Sequence, residues 1–177
     1  MIKLHLGCGA IYFPGYIHVD IMNYEHIDYL SPVDNLHMFE NNTVDLIYNC
    51  HILEHFERTE FKKVLIEWYR VLKRKGILRT AVPDFEAVCQ TYRKNKDVSE
   101  IEGLIMGGQT YLYNFHNNIF DFNKLKKALI ECGFVNIKRY DWRNVEYSEI
   151  DDYSKAYLPY MDKKGTLMSL NVEAEKA

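Results

Sequence analysis

The first twenty residues constrain the fold more than any other stretch. Ile2–Leu6 is a short, largely apolar run that stops at Gly7-Cys8-Gly9, and a second run, Tyr16–Asp20, stops at an acid. Short apolar runs bounded by turn residues read as buried strands. A parallel crossover normally takes a dozen residues or more, usually with a helix, yet only about ten, Gly7 to Tyr16, lie between these runs. The first crossover is therefore expected to be a bare loop. One sheet face then lacks part of its covering layer, and a second copy of the chain, in a homodimer, is one way to cover it.

Further strands are expected at Val44–Tyr48, Ile77–Ala81, Val135–Tyr140 and Thr166–Glu173, with a weaker signal over Ile27–Leu30. Helices separate the later ones. Thr59 is placed to cap a helix running to about Lys75, whose apolar stripe is Phe61, Val64, Leu65, Trp68, Val71 and Leu72. Gly76 is expected as its left-handed stop. Asp84 is placed to cap a helix through Tyr92. Asp121 is placed to cap another, with Phe120 and Leu125 as a hydrophobic staple and Gly133 as the stop. Ser99 and Glu102 have capping-box spacing for a short helix at Ile101–Met106. Strands alternating with helices mean a mostly parallel α/β sheet, here as one domain over residues 1–177.

Composition narrows the partners. The 177 residues are 47% apolar and carry a net charge of −3, which suits a core that needs no staples and gives no basic face for nucleic acid. The densest cationic stretch (Arg70, Lys73, Arg74, Lys75, Arg79) reads as a solvated helix end. The four cysteines, Cys8, Cys50, Cys89 and Cys132, form no Cys-x-x-Cys pair and read as reduced thiols. No signal peptide and no membrane span are evident, so a cytoplasmic location is expected.

The chemistry gathers at the strand ends. Ligands in open α/β sheets bind at the carboxyl ends of the strands, where glycines such as Gly7 and Gly9 let the backbone approach them. An acid closing the second strand, as Asp20 does, accepts hydrogen bonds from ribose hydroxyls in nucleoside-binding folds. Asp20 follows Gly9 after eleven residues, whereas the dinucleotide fingerprint places its acid about 20 residues on and has a third glycine. A nucleoside without a pyrophosphate is therefore favoured over NAD, and a nicotinamide oxidoreductase is the weaker alternative.

Leu4-His5-Leu6-Gly7-Cys8-Gly9 resembles the first motif of the class I S-adenosylmethionine-dependent methyltransferases. Three later passages resemble the same family in the same order. They are Val44-Asp45-Leu46-Ile47-Tyr48 with His51-Ile52-Leu53-Glu54-His55-Phe56, then Trp68 to Leu78 with its Leu72-Lys73 and Gly76, then Leu129-Ile130-Glu131-Cys132-Gly133-Phe134. The resemblance implies a Rossmann-like, mostly parallel seven-stranded sheet with a truncated N-terminal half, and S-adenosylmethionine as cofactor. It implies that Gly7, Cys8 and Gly9 run past the methionine and ribose portions, and that Asp20 binds the ribose with Ile21 beside the adenine. Asp34, with Leu36 following it, would meet the adenine amino group. Asn49 and Cys50 would line the methionine end. His5 stands where the family commonly has an acid, on the route to the cofactor's amino group.

For a hydroxyl acceptor a histidine base is chemically suited. His116, in the polar-aromatic stretch after Gly107-Gly108, and His51, just past the strand at Val44, are the catalytic candidates. Tyr111, Tyr113 and Phe115 alternate, so an extended segment would offer three rings to a sugar-like acceptor. His51 and His55 have i, i+4 spacing, but the order of histidines and glutamate is not the His-Glu-x-x-His of zinc proteases, and no metal is expected. The expected activity is methylation of a small molecule or glycan, with a sugar hydroxyl preferred. A catalytically silent cofactor-binding module is the non-enzymatic alternative.

Overall fold

The computed structural model describes residues 1–160 and 162–177. Its main sheet is built from β1 (Lys3–Leu6), β2 (Ile17–Asp20), β3 (Tyr29–Leu30), β4 (Val44–Cys50), β5 (Leu72–Pro83), β6 (Phe134–Arg139) and β9 (Ser169–Lys176). The helices are α1 (Phe61–Val71), α2 (Phe85–Asn95), α3 (Glu102–Met106) and α4 (Phe122–Glu131), and a small hairpin pairs β7 (Tyr157–Leu158) with β8 (Thr166–Leu167). The sheet order is β3-β2-β1-β4-β5-β9-β6, with β9 antiparallel to both its neighbours.

The order reverses between β1 and β4. The chain winds outward through β2 and β3 and then returns to the other side of β1. That topological switch opens a crevice at the strands' carboxyl ends, the place where this class of sheet binds ligands. Leu6 of β1 lies opposite Asn49 of β4, so the glycine turn and the exit of β4 stand side by side.

One face of the sheet carries the main core. Leu4, Leu6, Ile47, Leu78, Leu170 and Val172 pack against Phe61, Val64, Leu65, Trp68 and Val71 of α1 and Leu125, Ala128 and Leu129 of α4. Full burial of each large side chain stabilises the fold by roughly 1.5–3 kcal/mol. The Trp68 indole N–H, also buried, donates to the Val33 carbonyl at 2.8 Å.

The other face is the thin one. No helix joins β1 to β2, as expected from the short crossover. The face is not bare, however: Phe13 and Tyr16 of the crossover loop cover Leu46 and Tyr48, with Tyr147 and Ile150 from beyond β6 packed on them. Aromatic rings do the work that helices do on the opposite side.

Some local expectations need correction. Asp84 and Asp121 do cap α2 and α4, accepting from Glu86 N at 3.0 Å and Lys124 N at 2.7 Å. Thr59 caps nothing, because α1 starts after Glu60, and it ends at Val71 rather than Lys75. Leu72 is drawn into the sheet opposite Val44, and Lys75, not Gly76, takes the positive φ. Ser99 forms no capping box: its N–H and hydroxyl both turn to Asp97.

Candidate active site

The turn after β1 is held by the acid closing β2. Asp20, buried, accepts the Gly9 N–H on Oδ2 at 2.8 Å and the Met22 N–H on Oδ1 at 2.7 Å. Each oxygen keeps a further lone pair for a ribose hydroxyl. Gly7 and Gly9 both have positive φ, +62° and +54°. A Cβ on Gly7 would lie 2.1 Å from Ile52 Cδ1, whereas one on Gly9 would meet nothing within 4 Å. Gly7 is therefore the contact with the segment leaving β4, and Gly9 borders open space.

The other cofactor candidates separate. Asn49 is fully buried; its Oδ1 accepts from the Thr80 hydroxyl at 2.7 Å, and its Nδ2 has no partner. A buried donor without an acceptor at the switch point suits the polar end of a ligand. Cys8 is buried, 3.9 Å from His26 Nε2, and burial pushes its thiol up to about 12. Burial likewise raises the Cys50 thiol well above the ordinary range, so both cysteines are neutral. Ile21 and Asp34 are exposed.

Two candidates are not at the crevice lip. The Leu36 side chain is wholly inside the main core, and its backbone N–H is taken by Glu67. His5 points into the aromatic layer under the sheet, stacked on Phe13 at a centroid distance of 4.5 Å. Burial first, then His18 and His26, lower its pKa to about 3, and its Nδ1 has no partner.

Beyond β4 the chain makes a sharp exit. His51 adopts φ +55°, and a single 3-10 turn, Leu53–His55, follows. This turn delivers Glu54 into a site where the residue is fully buried and neither carboxylate oxygen has a hydrogen-bond partner. The loop from α3 closes over it: the N–H groups of Asn117 and Asn118 donate to the Glu54 carbonyl, and Asn117 Nδ2 donates to that of His55. Both catalytic candidates are thereby brought to one carboxylate. His51 Nδ1 lies 3.5 Å, and His116 Nε2 3.9 Å, from Glu54 Oε1.

The hydrogen-bond directions fix the tautomers. Asn171 Nδ2 donates to the Ser154 carbonyl at 2.7 Å, so its Oδ1 accepts the Ser169 hydroxyl proton at 3.1 Å. Ser169 Oγ can then only accept from His51 Nε2, at 3.3 Å, which leaves a lone pair on His51 Nδ1 facing Glu54. His116 Nδ1 faces the Leu104 carbonyl at 3.1 Å and must donate, so its Nε2 also presents a lone pair to Glu54. His55 Nδ1 donates to Phe115 O at 3.0 Å in the same way.

Electrostatics follow from burial. Burial, then the neighbouring His116 and His55, lowers His51 to about 3, and burial likewise lowers His55 and His116. Burial raises Glu54 to about 8. The sequence reading missed Glu54, Ser169 and Asn171. Ser169 and Asn171 left a signal, since polar residues alternate there with the apolar Leu170 and Val172 on a strand that is buried on both faces.

Residues 4–80, which carry the glycine turn, Asp20 and Glu54, match the family model described as a methyltransferase domain. No curated protein matches the sequence at a significant level. Among solved structures, a Thermotoga maritima S-adenosylmethionine-dependent methyltransferase, described as a possible histamine N-methyltransferase, superposes with a TM-score of 0.62 at 17% identity. It covers 99% of this chain and 82% of its own. The chain has the fold of the class I methyltransferases.

An Archaeoglobus fulgidus S-adenosylmethionine-dependent methyltransferase gives a TM-score of 0.60 at 14% identity, covering 98% of this chain and 85% of its own. The Burkholderia thailandensis 1,6-didemethyltoxoflavin N1-methyltransferase, solved with its substrate and S-adenosylhomocysteine, gives 0.57 at 14%, covering 99% and 71%. The residues around the turn after β1 fit S-adenosylmethionine: a carboxylate with spare lone pairs, an open glycine, and an unpartnered amide at the switch point. Among the described residues no helix is long and apolar enough to cross a membrane.

Proposed function

We propose that this methyltransferase alkylates a hydroxyl of a small-molecule or glycan acceptor, with a sugar hydroxyl as the preferred target. One observation carries the reading. Ile52, packed on the glycine turn at Gly7, lies between His51 and Glu54, so the proton-accepting cluster begins one residue from the cofactor's cradle. Asp20 and Gly9 would hold the ribose side, and Asn49 Nδ2 the methionine side.

S-adenosylmethionine, when bound, supplies an electrophilic methyl group on a good leaving sulfur. A hydroxyl nucleophile must lose its proton, and a positioned base contributes typically 10²–10⁴-fold to that step. His116 and His51 are neutral at ordinary pH because burial lowers both. Glu54, raised by burial to about 8, holds its proton at neutral pH and would stabilise an imidazolium on either ring once it has given that proton up. His116 and His51 are the proposed proton acceptors, and Glu54 is their positioning partner.

The acceptor side is aromatic. Tyr111, Tyr113 and Phe115 are all exposed on the loop after Gly107-Gly108. Burial, and then the charge of Asp20, raise the pKa of the Tyr111 hydroxyl. Faces of this kind suit the apolar side of a sugar ring.

The test is a thermal-shift and calorimetric comparison of S-adenosylhomocysteine with NAD, followed by turnover across a panel of sugar and phenolic hydroxyls. Stabilisation by S-adenosylhomocysteine and methylation of a hydroxyl acceptor are expected. Binding of NAD in its place would overturn the cofactor assignment, and methylation confined to amines would overturn the hydroxyl assignment.

A further inference from the structure

Glu54 presents an electrostatic problem. It is a fully buried carboxylate without a hydrogen-bond donor on either oxygen, and the nearest imidazole nitrogens turn lone pairs, not protons, toward it. Leaving such a group unpaired costs far more than leaving a neutral one. A proton on Glu54 Oε1 would have His51 Nδ1, at 3.5 Å, as a weak acceptor, and would leave the lone pair of His116 Nε2, at 3.9 Å and beyond hydrogen-bond reach, without a partner.

We propose that Glu54, His55 and His116 form a site for one divalent transition-metal ion, zinc foremost. One donor atom from each lies within 4.8 Å of the other two. Metal bonds of about 2.0–2.2 Å would draw them together. Two nitrogens and one carboxylate oxygen are the donor set of zinc, manganese and iron(II) sites rather than of the all-oxygen sites of calcium or magnesium.

The surroundings of the two histidines support this independently. Each ring donates its Nδ1 proton to a backbone carbonyl, His116 to Leu104 and His55 to Phe115. This is the outer-shell pattern that orients ligating histidines and fixes their tautomer. The glutamate and one histidine come from the turn after β4, and the other histidine from a loop sixty residues on. The site is therefore assembled by the fold and is not the helical His-Glu-x-x-His of proteases.

Three protein ligands leave a coordination position open, and an ion so held lowers the pKa of a bound hydroxyl; with His116 Nε2 taken by the ion, His51 is the proton acceptor that remains. That catalytic role rests on the methyl-transfer reading; the binding of the ion does not.

The test uses the full chain stripped with EDTA and titrated calorimetrically with zinc chloride, then manganese chloride, with metal analysis after desalting. One zinc per chain is expected in the wild type. At least about tenfold weaker binding is expected in Glu54→Gln and in His116→Ala, with His26→Ala unchanged. The last variant matters because Cys8 and His26, 3.9 Å apart, are a competing pair of soft donors. Absence of zinc binding, equal affinity in wild type and Glu54→Gln, or loss in His26→Ala alone would each overturn the proposal. If Glu54→Gln does not fold by circular dichroism, His116→Ala decides. S-adenosylhomocysteine binding, measured on the same samples, separates the outcomes: its loss in the wild type would count against methyl transfer and leave the metal result standing.

Discussion

Glu54 Oε1 and His51 Nδ1 face each other at 3.5 Å, and the chain of hydrogen bonds behind His51 dictates that its proton sits on the far nitrogen. The proton order runs from His51 to Ser169 to Asn171, and Asn171 is locked by the Ser154 carbonyl. Two strands, β4 and β9, thus set one imidazole from behind while the α3 loop brings His116 from the front. The catalytic candidates are held by the rigid sheet, with the loop completing the set.

Asp20→Ala should weaken S-adenosylhomocysteine binding. The carboxylate fixes the Gly9 turn, and in the proposed site its remaining lone pairs would take the ribose hydroxyls. Loss of one or two charge-assisted hydrogen bonds costs about 1.5–3 kcal/mol each, or at least roughly tenfold in Kd. Titration calorimetry reads it, and unchanged affinity would remove Asp20 from the site.

Gly7→Ala and Gly9→Ala should behave differently. Both positions need positive φ, which costs a residue with a side chain about 1–2 kcal/mol. Gly7→Ala adds a clash with Ile52, so its loss of stability in urea should be larger, and Ile52→Ala should relieve the excess. Gly9→Ala has no such clash and should mainly weaken the cofactor. Equal destabilisation by both, unaffected by Ile52→Ala, would contradict the packing.

The strands were legible because each is an apolar run with a punctuated end, and Gly7, Asp20 and His51 stand at the ends of β1, β2 and β4. What was not legible depended on distant partners. Gly76 is a reasonable helix stop by local rules, but Leu72 is claimed by its sheet partner Val44 and ends α1 early. Thr59 and Ser99 had capping spacing without the geometry. Leu36 read as a pocket residue because it follows Asp34, and only the packing of α1 shows that it belongs to the core. Glu54 stands in the sequence only as one residue of the His51–Phe56 passage and carries no role there, since the loop that buries it arrives sixty residues later.

His116→Ala should lower kcat by about 10²-fold or more while leaving S-adenosylhomocysteine affinity nearly unchanged. His116 touches Glu54 and the Leu104 carbonyl, not the glycine turn, so the cofactor cradle survives its removal. Steady-state kinetics beside calorimetry separates the two. Normal turnover would take His116 off the catalytic list, and a parallel loss of cofactor affinity would make its role structural.

His5 should make the fold acid-sensitive. Its pKa falls from 6.5 to about 3 because its ring is buried against Phe13 and Tyr48, and the neighbouring His18 and His26 add to the effect. A folded-state pKa below the unfolded value means the neutral ring's contribution is fully present above about 6.5. It is lost as pH falls toward 3, at about 1.4 kcal/mol per pH unit. His5→Phe keeps an aromatic ring in the cluster, removes the unpartnered Nδ1 and abolishes that titration. Plotted against pH, the midpoints of thermal unfolding for wild type and His5→Phe should run parallel above pH 7 and diverge below pH 6, with the wild type falling faster. Curves that stay parallel down to pH 4 would show that His5 is not the group that titrates, and would shift the acid response to His18, which burial also lowers.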